Sequence, residues 1–536
     1  MPLFSRRKFL SVMPALLAGC GGGGGGETPQ TQTTGGTQTN PSASLPPVTI
    51  PEPGHPTPPP VQDRNVIQLE NAKTAQDGVT SRWYIESLDY ASNREIEGYA
   101  SSTSVRRGES IQLFVNTAEP SYSISIYRIG WYGGQGGRLM AGPIRRDGIR
   151  QPAPTKTADT RLVECNWTDP YVLSIPKNDE DPTDWASGFY LAKLTGGTSG
   201  KQSYIIFVVR DDARDSALLF QSSVTTYAAY NNWGGHSFYS VDSEGAKEAY
   251  KVSFNRPYRN PQQPSQGKGA GDFFSWELHM LRFVEREGYD VTYTTNISVH
   301  LAPESLEKHR GFLSVGHDEY WTGKMFDAME HARDKGVNLG FFGANMGYWQ
   351  VRLEPSTTGQ SNRTVVGYKY ARWDDPNYYS DPGSTTYHWR EKQYPAINRP
   401  EATLIGVMYD YNSVDLDMVM SDCSSWICEG TGLRNGAVLK GMLGYEVDRV
   451  DPVYSPANIQ ILASSPYQVC VDEGCPRRET RYANMTFYTA ASGAGVFATG
   501  TMQWNWGLDD FGPWGDRVNP AVQRMTRNVL DHFVEN

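Results

Sequence analysis

The chain has 536 residues, with 49 Lys+Arg against 59 Asp+Glu and a formal net charge of −10. That balance argues against nucleic acid as a partner, because such binding is dominated by cationic contacts to phosphate. Beyond the first 20 residues no segment has the about 18 consecutive apolar residues of a membrane-spanning helix, and the length suits two or three domains.

Residues 1–20 read as an export signal. Arg6-Arg7 stands directly before an apolar stretch, Phe9 to Leu17, which is too short for a permanent span and fits a cleaved h-region. The arginine pair is the twin-arginine feature. Leu17-Ala18-Gly19-Cys20 resembles the lipobox of bacterial lipoproteins, so Cys20 is the expected lipidation site. Residues 21–65 begin with six glycines and continue rich in Thr, Gln, Pro and Ser. With almost no large apolar residues they cannot offset their ordering entropy, and they read as a tether with a reach of roughly 35 Å. The expected location is the bacterial cell envelope, facing the periplasm or cell surface, with membrane contact only through the N-terminal lipid.

Residues 66–210 read as a β-sandwich. Ser110 to Val115 and Tyr122 to Tyr127 alternate polar and apolar residues, Gly188 to Leu194 and Tyr204 to Val209 are further strands, and Gly, Pro, Asn and Asp separate them. The glycine-rich Trp131 to Gly137 lacks the Lys and the following helix of a phosphate-cradling loop.

Residues 211–536 read as α/β. Strands are expected at 217–220, 290–293, 311–315, 337–342 and 495–499. Helices are expected over Phe273 to Glu287, from a Thr322 cap to Lys335, and over Ala521 to Val534. Strands alternating with helices predict a mostly parallel sheet covered on both faces, interrupted by a large, partly β insertion at about 350–490. The fold class is therefore α/β plus β: a β-sandwich followed by an amidotransferase-like (flavodoxin-like) domain. Cys423 and Cys428, and Cys470 and Cys475, form two evenly spaced pairs that read as two disulfides in an oxidising compartment; Cys165 is left over. The 31 Tyr and 14 Trp suit β-rich cores and also carbohydrate or interface surfaces.

In open parallel sheets ligands bind beyond the carboxyl ends of the strands. Four polar, aromatic, glycine-bearing loops follow such ends: Thr226 to His236, Gly316 to Trp321, Gly343 to Asn345 and Gln503 to Asp510. His317 and Glu319 are two apart, so in extended chain they face one way, able to hold a metal or to act as base and orienter. There is no Gly-x-Ser-x-Gly elbow and no His-Glu-x-x-His. Where an amidotransferase-like sheet would carry a nucleophilic cysteine, this chain has His317.

Together, Tyr227-Ala228-Ala229-Tyr230-Asn231-Asn232-Trp233-Gly234-Gly235, Gly316-His317-Asp318-Glu319-Tyr320-Trp321, Gly343-Ala344-Asn345 and Trp504 to Asp509 resemble the large subunit of N,N-dimethylformamidase and its relatives. The resemblance implies a metal-dependent amidohydrolase with a mononuclear ferric ion, Fe(3+), held by two tyrosines and one glutamate. It implies Glu319 as the carboxylate ligand and Tyr230, with Tyr227 as the alternative, as one tyrosine. It implies Tyr190, in Ser187-Gly188-Phe189-Tyr190, as the other on spacing and strand context. His317 and Glu446 are implied as proton-moving groups and Asn345 as the residue orienting the carbonyl. Phenolate and carboxylate are hard oxygen donors suited to such an ion. The substrate implied is a small amide of unspecified identity. The competing reading is a non-catalytic surface lipoprotein that binds glycan or protein.

Overall fold

The computed structural model describes residues 64–73, 82–259, 272–471, 475, 477–512 and 515–535. All lie in one compact unit, Ile50–Asn536. The Arg6-Arg7 signal, Cys20 and nearly all of the 21–65 tether lie outside the described residues. No helix among the described residues is long and apolar enough to cross a membrane.

The first described element corrects the all-β reading of residues 66–210. Val66–Asn71 is a short helix, capped by Asn65, whose side chain accepts from the Gln68 N–H while Gln68 reaches back to the Asn65 N–H. This reciprocal cap satisfies two N-terminal donors. Strands then dominate. Ile96–Ala100, Ser110–Thr117 and Tyr171–Ser174 form a three-stranded sheet, and Ser104–Arg106, Gln202–Arg210, Gly188–Gly196, Ser121–Ile129 and Gly137–Asp147 a five-stranded one. Ser110–Thr117 shows the expected alternation, with Ile111, Leu113 and Val115 buried. Those three share one apolar core with Ile124, Ile126, Leu194, Ile205 and Phe207 of the other sheet.

The outer face of the five-stranded sheet is covered too. Phe189 stacks on Phe273 (4.7 Å) and meets Tyr293 edge-on (5.6 Å), so this sheet and the following α/β region share one core. A fully buried ion pair crosses the same junction. Arg128 donates to Glu285 (2.7 Å) and to the Ser187 carbonyl (2.9 Å), and the Tyr293 hydroxyl also donates to Glu285 (2.8 Å).

The α/β region is built on five parallel strands, Leu218–Ser222, Val291–Thr295, Gly311–Gly316, Asn338–Gly343 and Gly495–Ala498. Their spatial order is second, first, third, fourth, fifth. Every residue in them is buried, as expected of a sheet covered on both faces. Neighbouring residues feed different cores: Leu219 and Phe312 pack with Met325 and Phe326 of helix Gly323–Asp334. Phe220 and Leu313 instead pack with helices Leu278–Arg286 and Pro520–Glu535.

The 350–490 region is only partly an insertion. Met408–Val419 and Val438–Arg449 form a separate two-stranded ribbon. Arg478–Thr489 and Gln460–Cys470, however, continue the main sheet as antiparallel strands beyond Gly495–Ala498. Cys470, at the end of the second of these, is bridged to Cys475. Cys423 and Cys428, expected to bridge, are free thiols, and Cys165 is free and buried.

Candidate active site

The first and third parallel strands are adjacent although not consecutive, so the chain's connections diverge between their carboxyl ends. That is a topological switch point, where open α/β sheets bind ligands. Leu218–Ser222 leads into helix Val224–Tyr230, and Gly311–Gly316 leads into His317. Gly316 has φ +76°, and a Cβ there would lie 2.5 Å from Trp276 Cβ. On the fourth strand, a Cβ at Gly343 would lie 2.1 Å from the Gly316 carbonyl oxygen. Glycine at these strand ends is thus a steric requirement that lets the two loops close on each other.

The two-residue periodicity of the His317 loop holds. Asp318 points inward and accepts from Gln221 (2.7 Å), Ser314 (2.8 Å) and Asn296 (2.9 Å). Its neighbours His317 and Glu319 come together on the other side, with His317 Nε2 3.4 Å from Glu319 Oε2. The Glu319 N–H donates to Thr226 Oγ1 (3.0 Å), which ties this loop to the helix carrying Tyr230.

Glu319 is the hub of a buried cluster. The Tyr230 hydroxyl donates to its Oε2 (2.8 Å), the Tyr239 hydroxyl lies 3.0 Å from the same oxygen, and Trp349 Nε1 donates to its Oε1 (2.9 Å). The two phenol oxygens are 2.7 Å apart. Burial first, and then the Glu319 carboxylate, hold both phenols well above the ordinary tyrosine range. Burial also raises Glu319, against the lowering effect of His317. Tyr320 joins through its hydroxyl, 2.6 Å from that of Tyr239. Lys369 Nζ donates to Tyr320 (3.2 Å) and lies 3.7 Å from the Tyr239 ring centroid; burial pushes its ammonium down to about 8.

The tyrosine assignments change accordingly. Tyr190 is not in this cluster. It lies in the core between the two N-terminal sheets, stacked on Trp185 and Phe207, with its hydroxyl donating to the Ala186 carbonyl (2.8 Å). The reason is the pleat of Gly188–Gly196, which turns Tyr190 inward while its neighbour Phe189 faces the α/β region. Tyr227, the alternative to Tyr230, is buried beside Ser222 and Glu277. The second phenol at Glu319 is Tyr239, which the sequence reading did not single out. The chain turns at Gly234 (φ +79°) and Gly235 (φ +109°), and the Phe238 N–H returns to the Ala229 carbonyl (2.9 Å). Tyr230 and Tyr239 flank that glycine pair symmetrically, a signal present in the sequence.

His317, Glu446 and Asn345 close the site. Glu446 comes from the Val438–Arg449 strand, its Oε2 3.2 Å from His317 Nε2. Burial alone would lower His317, but Glu446 and then Glu319 outweigh it and lift the imidazolium to about 9. Asn345 adopts φ +55°, and its N–H donates to Asp448 Oδ1 (2.9 Å). Burial raises Asp448 to about 8. Three buried polar atoms here, His317 Nε2, Glu446 Oε2 and Asn345 Oδ1, make no aligned hydrogen bond. Such groups are costly unless a ligand, ion or water serves them.

The fifth-strand loop buttresses the site rather than lining it. Trp506 stacks on Trp276 (4.9 Å), Trp504 Nε1 donates to Thr526 (3.0 Å), and Asn505 donates to the Phe342 carbonyl (2.9 Å). A cavity of about 540 Å³ lined by Arg94, Glu97 and Trp233 among others includes none of the clustered residues.

Among the described residues no group of three or more His, Cys, Asp or Glu is arranged to hold a metal. A centre here would depend on phenol oxygens. The donor set Tyr230, Tyr239 and Glu319 fits a hard trivalent cation: three oxygens at mutual separations of 2.7, 2.8 and 3.0 Å match donors sharing one ion at bond lengths of roughly 2 Å.

Comparison with known proteins agrees with the motifs. The chain is 26% identical over 341 residues to the N,N-dimethylformamidase beta subunit of Alcaligenes sp, covering 58% of this chain and 42% of that one. It is 25% identical over 439 residues to the subunit of the same name from Paracoccus aminophilus, covering 70% and 55%. The chain thus spans about half the length of these relatives. A crystal structure of murine CEACAM1b overlaps 22% of this chain and 54% of that one at 13% identity, with a TM-score of 0.12, and carries no argument. The profile described as N,N-dimethylformamidase beta subunit-like, C-terminal, matches residues 123–519, most of the chain, and the chain belongs to that family.

Proposed function

We propose that the protein hydrolyses a carboxylic amide at the cluster centred on Glu319, with Tyr230, Tyr239 and Glu319 as ligands of a mononuclear ferric ion. The observation that carries this is the convergence of two phenols and a carboxylate on one point, beside three buried side chains with unserved polar atoms. When bound, the ion would supply Lewis acidity toward the amide carbonyl and toward water.

The chain's own residues have distinct tasks. Glu446 takes the proton of the attacking water. His317, protonated at neutral pH, gives a proton to the departing amine nitrogen as the C–N bond breaks. The 3.2 Å between His317 Nε2 and Glu446 Oε2 lets the proton return and resets both groups. Asn345, held by Asp448, orients the carbonyl through its carboxamide. Trp349 and Tyr320 hold Glu319 and Tyr239 in place, and the buried surroundings strengthen each electrostatic contact.

The fold reading follows the same line. The parallel order second-first-third-fourth-fifth supports an amidotransferase-like, flavodoxin-like sheet, and the shared core of the two N-terminal sheets supports a β-sandwich. We further propose export by the twin-arginine route and lipidation at Cys20, on the residues 1–20 pattern. The substrate is then an amide outside the cytoplasm, and nucleic acid is not a partner. Elemental analysis of the folded protein tests the reading. About one iron per chain with visible phenolate-to-iron absorption is expected, and both should vanish in Glu319→Ala. A colourless, iron-free protein that cannot be loaded with Fe(3+) would overturn it.

A further inference from the structure

We propose that the segment 369–394 is a saccharide platform and that the substrate amide is carried on a sugar, as in an N-acylated amino sugar or glycan; this rests on the amidohydrolase reading above.

Four large side chains of this segment are exposed: Tyr370 by 62%, Trp373 by 58%, Tyr379 by 80% and Tyr394 by 41%. Single exposed apolar residues need no explanation, but a concentration of them marks an interaction surface. All four are aromatic. They are also braced. Tyr378 packs edge-on against both Tyr379 and Tyr394 (4.7 Å each), and the Tyr394 hydroxyl donates to the Tyr378 carbonyl (2.6 Å). Arg372 lies over Tyr387 (4.1 Å) and beside Trp373 (5.4 Å). Beneath them, Asp375 is gripped by Arg352 through two bonds (2.8 and 2.9 Å). Rings held this way lose little freedom on binding.

The platform runs into the site. Tyr370 meets Trp349 edge to face (5.2 Å), and Trp349 donates to Glu319. The next residue inward, Lys369, reaches Tyr320. Tyr370 is thus one side chain, Trp349, away from Glu319, so a ligand lying on Tyr370 has one end close to the proposed reacting group.

The chemistry of the surface selects the ligand. An anionic membrane would call for basic residues flanking aliphatic ones. This segment instead sets Lys369, Arg372, Arg390 and Lys392 against Asp374, Asp375, Asp381 and Glu391, with no excess of positive charge, and its exposed large side chains are amphipathic Tyr and Trp. Ring faces pack on the C–H faces of a sugar while phenols and short polar side chains meet its hydroxyls. A ligand that combines such faces with an amide is an N-acylated saccharide. In its hydrolysis, water supplies hydroxide to the acyl carbon and a proton to the nitrogen. The C–N bond breaks, and a free carboxylic acid and an amino sugar result.

The test uses the full chain loaded with Fe(3+), with triacetylchitotriose, acetamide and N,N-dimethylformamide as amides, and with anionic lipid vesicles. Acetate release from triacetylchitotriose is expected at a kcat/KM at least about tenfold above that for acetamide. Trp373→Ala and Tyr379→Ala, both at exposed positions, should each raise KM for triacetylchitotriose about tenfold with kcat within about twofold. Calorimetric binding of triacetylchitotriose to Glu319→Ala protein should persist and be weakened by Trp373→Ala, which reads the platform without turnover. Turnover of simple amides without turnover or binding of the sugar amide would overturn this inference and leave the amidohydrolase reading standing. Sugar binding with no amide hydrolysed by iron-loaded protein would overturn the amidohydrolase reading and the substrate assignment together, keeping only the platform. Binding to vesicles but to no saccharide would overturn the platform.

Discussion

Tyr230 and Tyr239 lie nine residues apart and stack with ring centroids 4.3 Å apart, both hydroxyls directed at the carboxylate of Glu319. The fold-back at Gly234-Gly235 brings the two rings together, and Tyr320 and Lys369 hold Tyr239 from the other side. Phenols held above their ordinary range by burial and a neighbouring carboxylate release their protons only to a strong cation.

The first prediction separates the proposed ligand from the one expected from sequence. Tyr239→Phe should lower iron content at least about tenfold at limiting iron and abolish or shift the visible absorption. Tyr190→Phe should leave both unchanged and cost about 1–2 kcal/mol of stability, the effect of removing a buried hydroxyl from its carbonyl. Iron analysis, absorption spectra and urea unfolding of the two variants check this. Loss of iron in Tyr190→Phe with retention in Tyr239→Phe would reverse the assignment.

The same pair shows where sequence reading reaches its limit. Four of the five parallel strands were legible as short, largely apolar runs bounded by turn residues, and Val291–Thr295 by its β-branched and aromatic residues after Gly288. His317 and Glu319 were legible because alternation in extended chain is a local rule. Tyr190 looked equally suitable, but the facing of one strand residue depends on which sheet covers which side, and here a second core lies against the outer face. Tyr239 required knowing that the chain reverses at the glycine pair. Glu446 stands in a distant ribbon and was named only through family resemblance; nothing local to it announces a site. The Val66–Asn71 helix was missed because a six-residue element shows too little periodicity, although its Asn65 cap was there to read.

The second prediction concerns the junction between the N-terminal sheets and the α/β region. Arg128 and Glu285 are both fully buried, and removing one partner leaves an uncompensated charge. Glu285→Gln or Arg128→Met should each destabilise by about 3–5 kcal/mol. Because the two regions share a core, loss of structure should occur in one urea transition for wild type and variants alike. A separate early transition for the N-terminal sheets would contradict the shared core.

The third prediction is a pH dependence away from the proposed metal. Glu277 is buried, and desolvation raises its carboxyl to about 8, opposed by Tyr227 and by the Ser223 N–H (3.2 Å). An acid whose folded value exceeds its unfolded one binds more protons when folded, so this group's contribution to stability falls as pH rises from about 4.5 to about 8. Glu277→Gln removes that dependence and keeps an acceptor for Ser223. The variant should therefore gain on wild type by at least about 1 kcal/mol between pH 5.5 and pH 8.5. Urea midpoints at both pH values decide this, and a constant difference would show that Glu277 is charged throughout.

The fourth prediction tests the meeting of two strand ends. A Cβ at Gly343 would lie 2.1 Å from the Gly316 carbonyl oxygen and 2.3 Å from Met346 Cε. The methionine is flexible, but the backbone oxygen is not. Gly343→Ala should cost about 1–3 kcal/mol through overpacking and push His317 away from Asn345, so activity should fall further than stability alone explains. Residual activity measured well below the melting temperature separates the two effects. Full activity there would mean that the loops tolerate a shift without losing their alignment.

The last prediction distinguishes holding the metal from moving protons. Glu446 lies against His317 but makes no hydrogen bond with the two phenols. Glu446→Gln should therefore keep the iron content and the visible absorption of the wild type. It should also lower kcat by about 10²–10⁴, the usual contribution of a positioned acid or base, with little change in KM. His317→Gln should behave alike. The two losses should not add in the double variant, because one proton passes between these groups and removing either breaks the same relay. Asn345→Ala should lower kcat by about 10²–10³, as for a lost carbonyl-orienting donor. That loss should combine more nearly multiplicatively with Glu446→Gln, since it acts on the carbonyl and not on the relay. Full additivity between Glu446→Gln and His317→Gln would mean that the 3.2 Å contact carries no proton, and that each residue meets the substrate on its own.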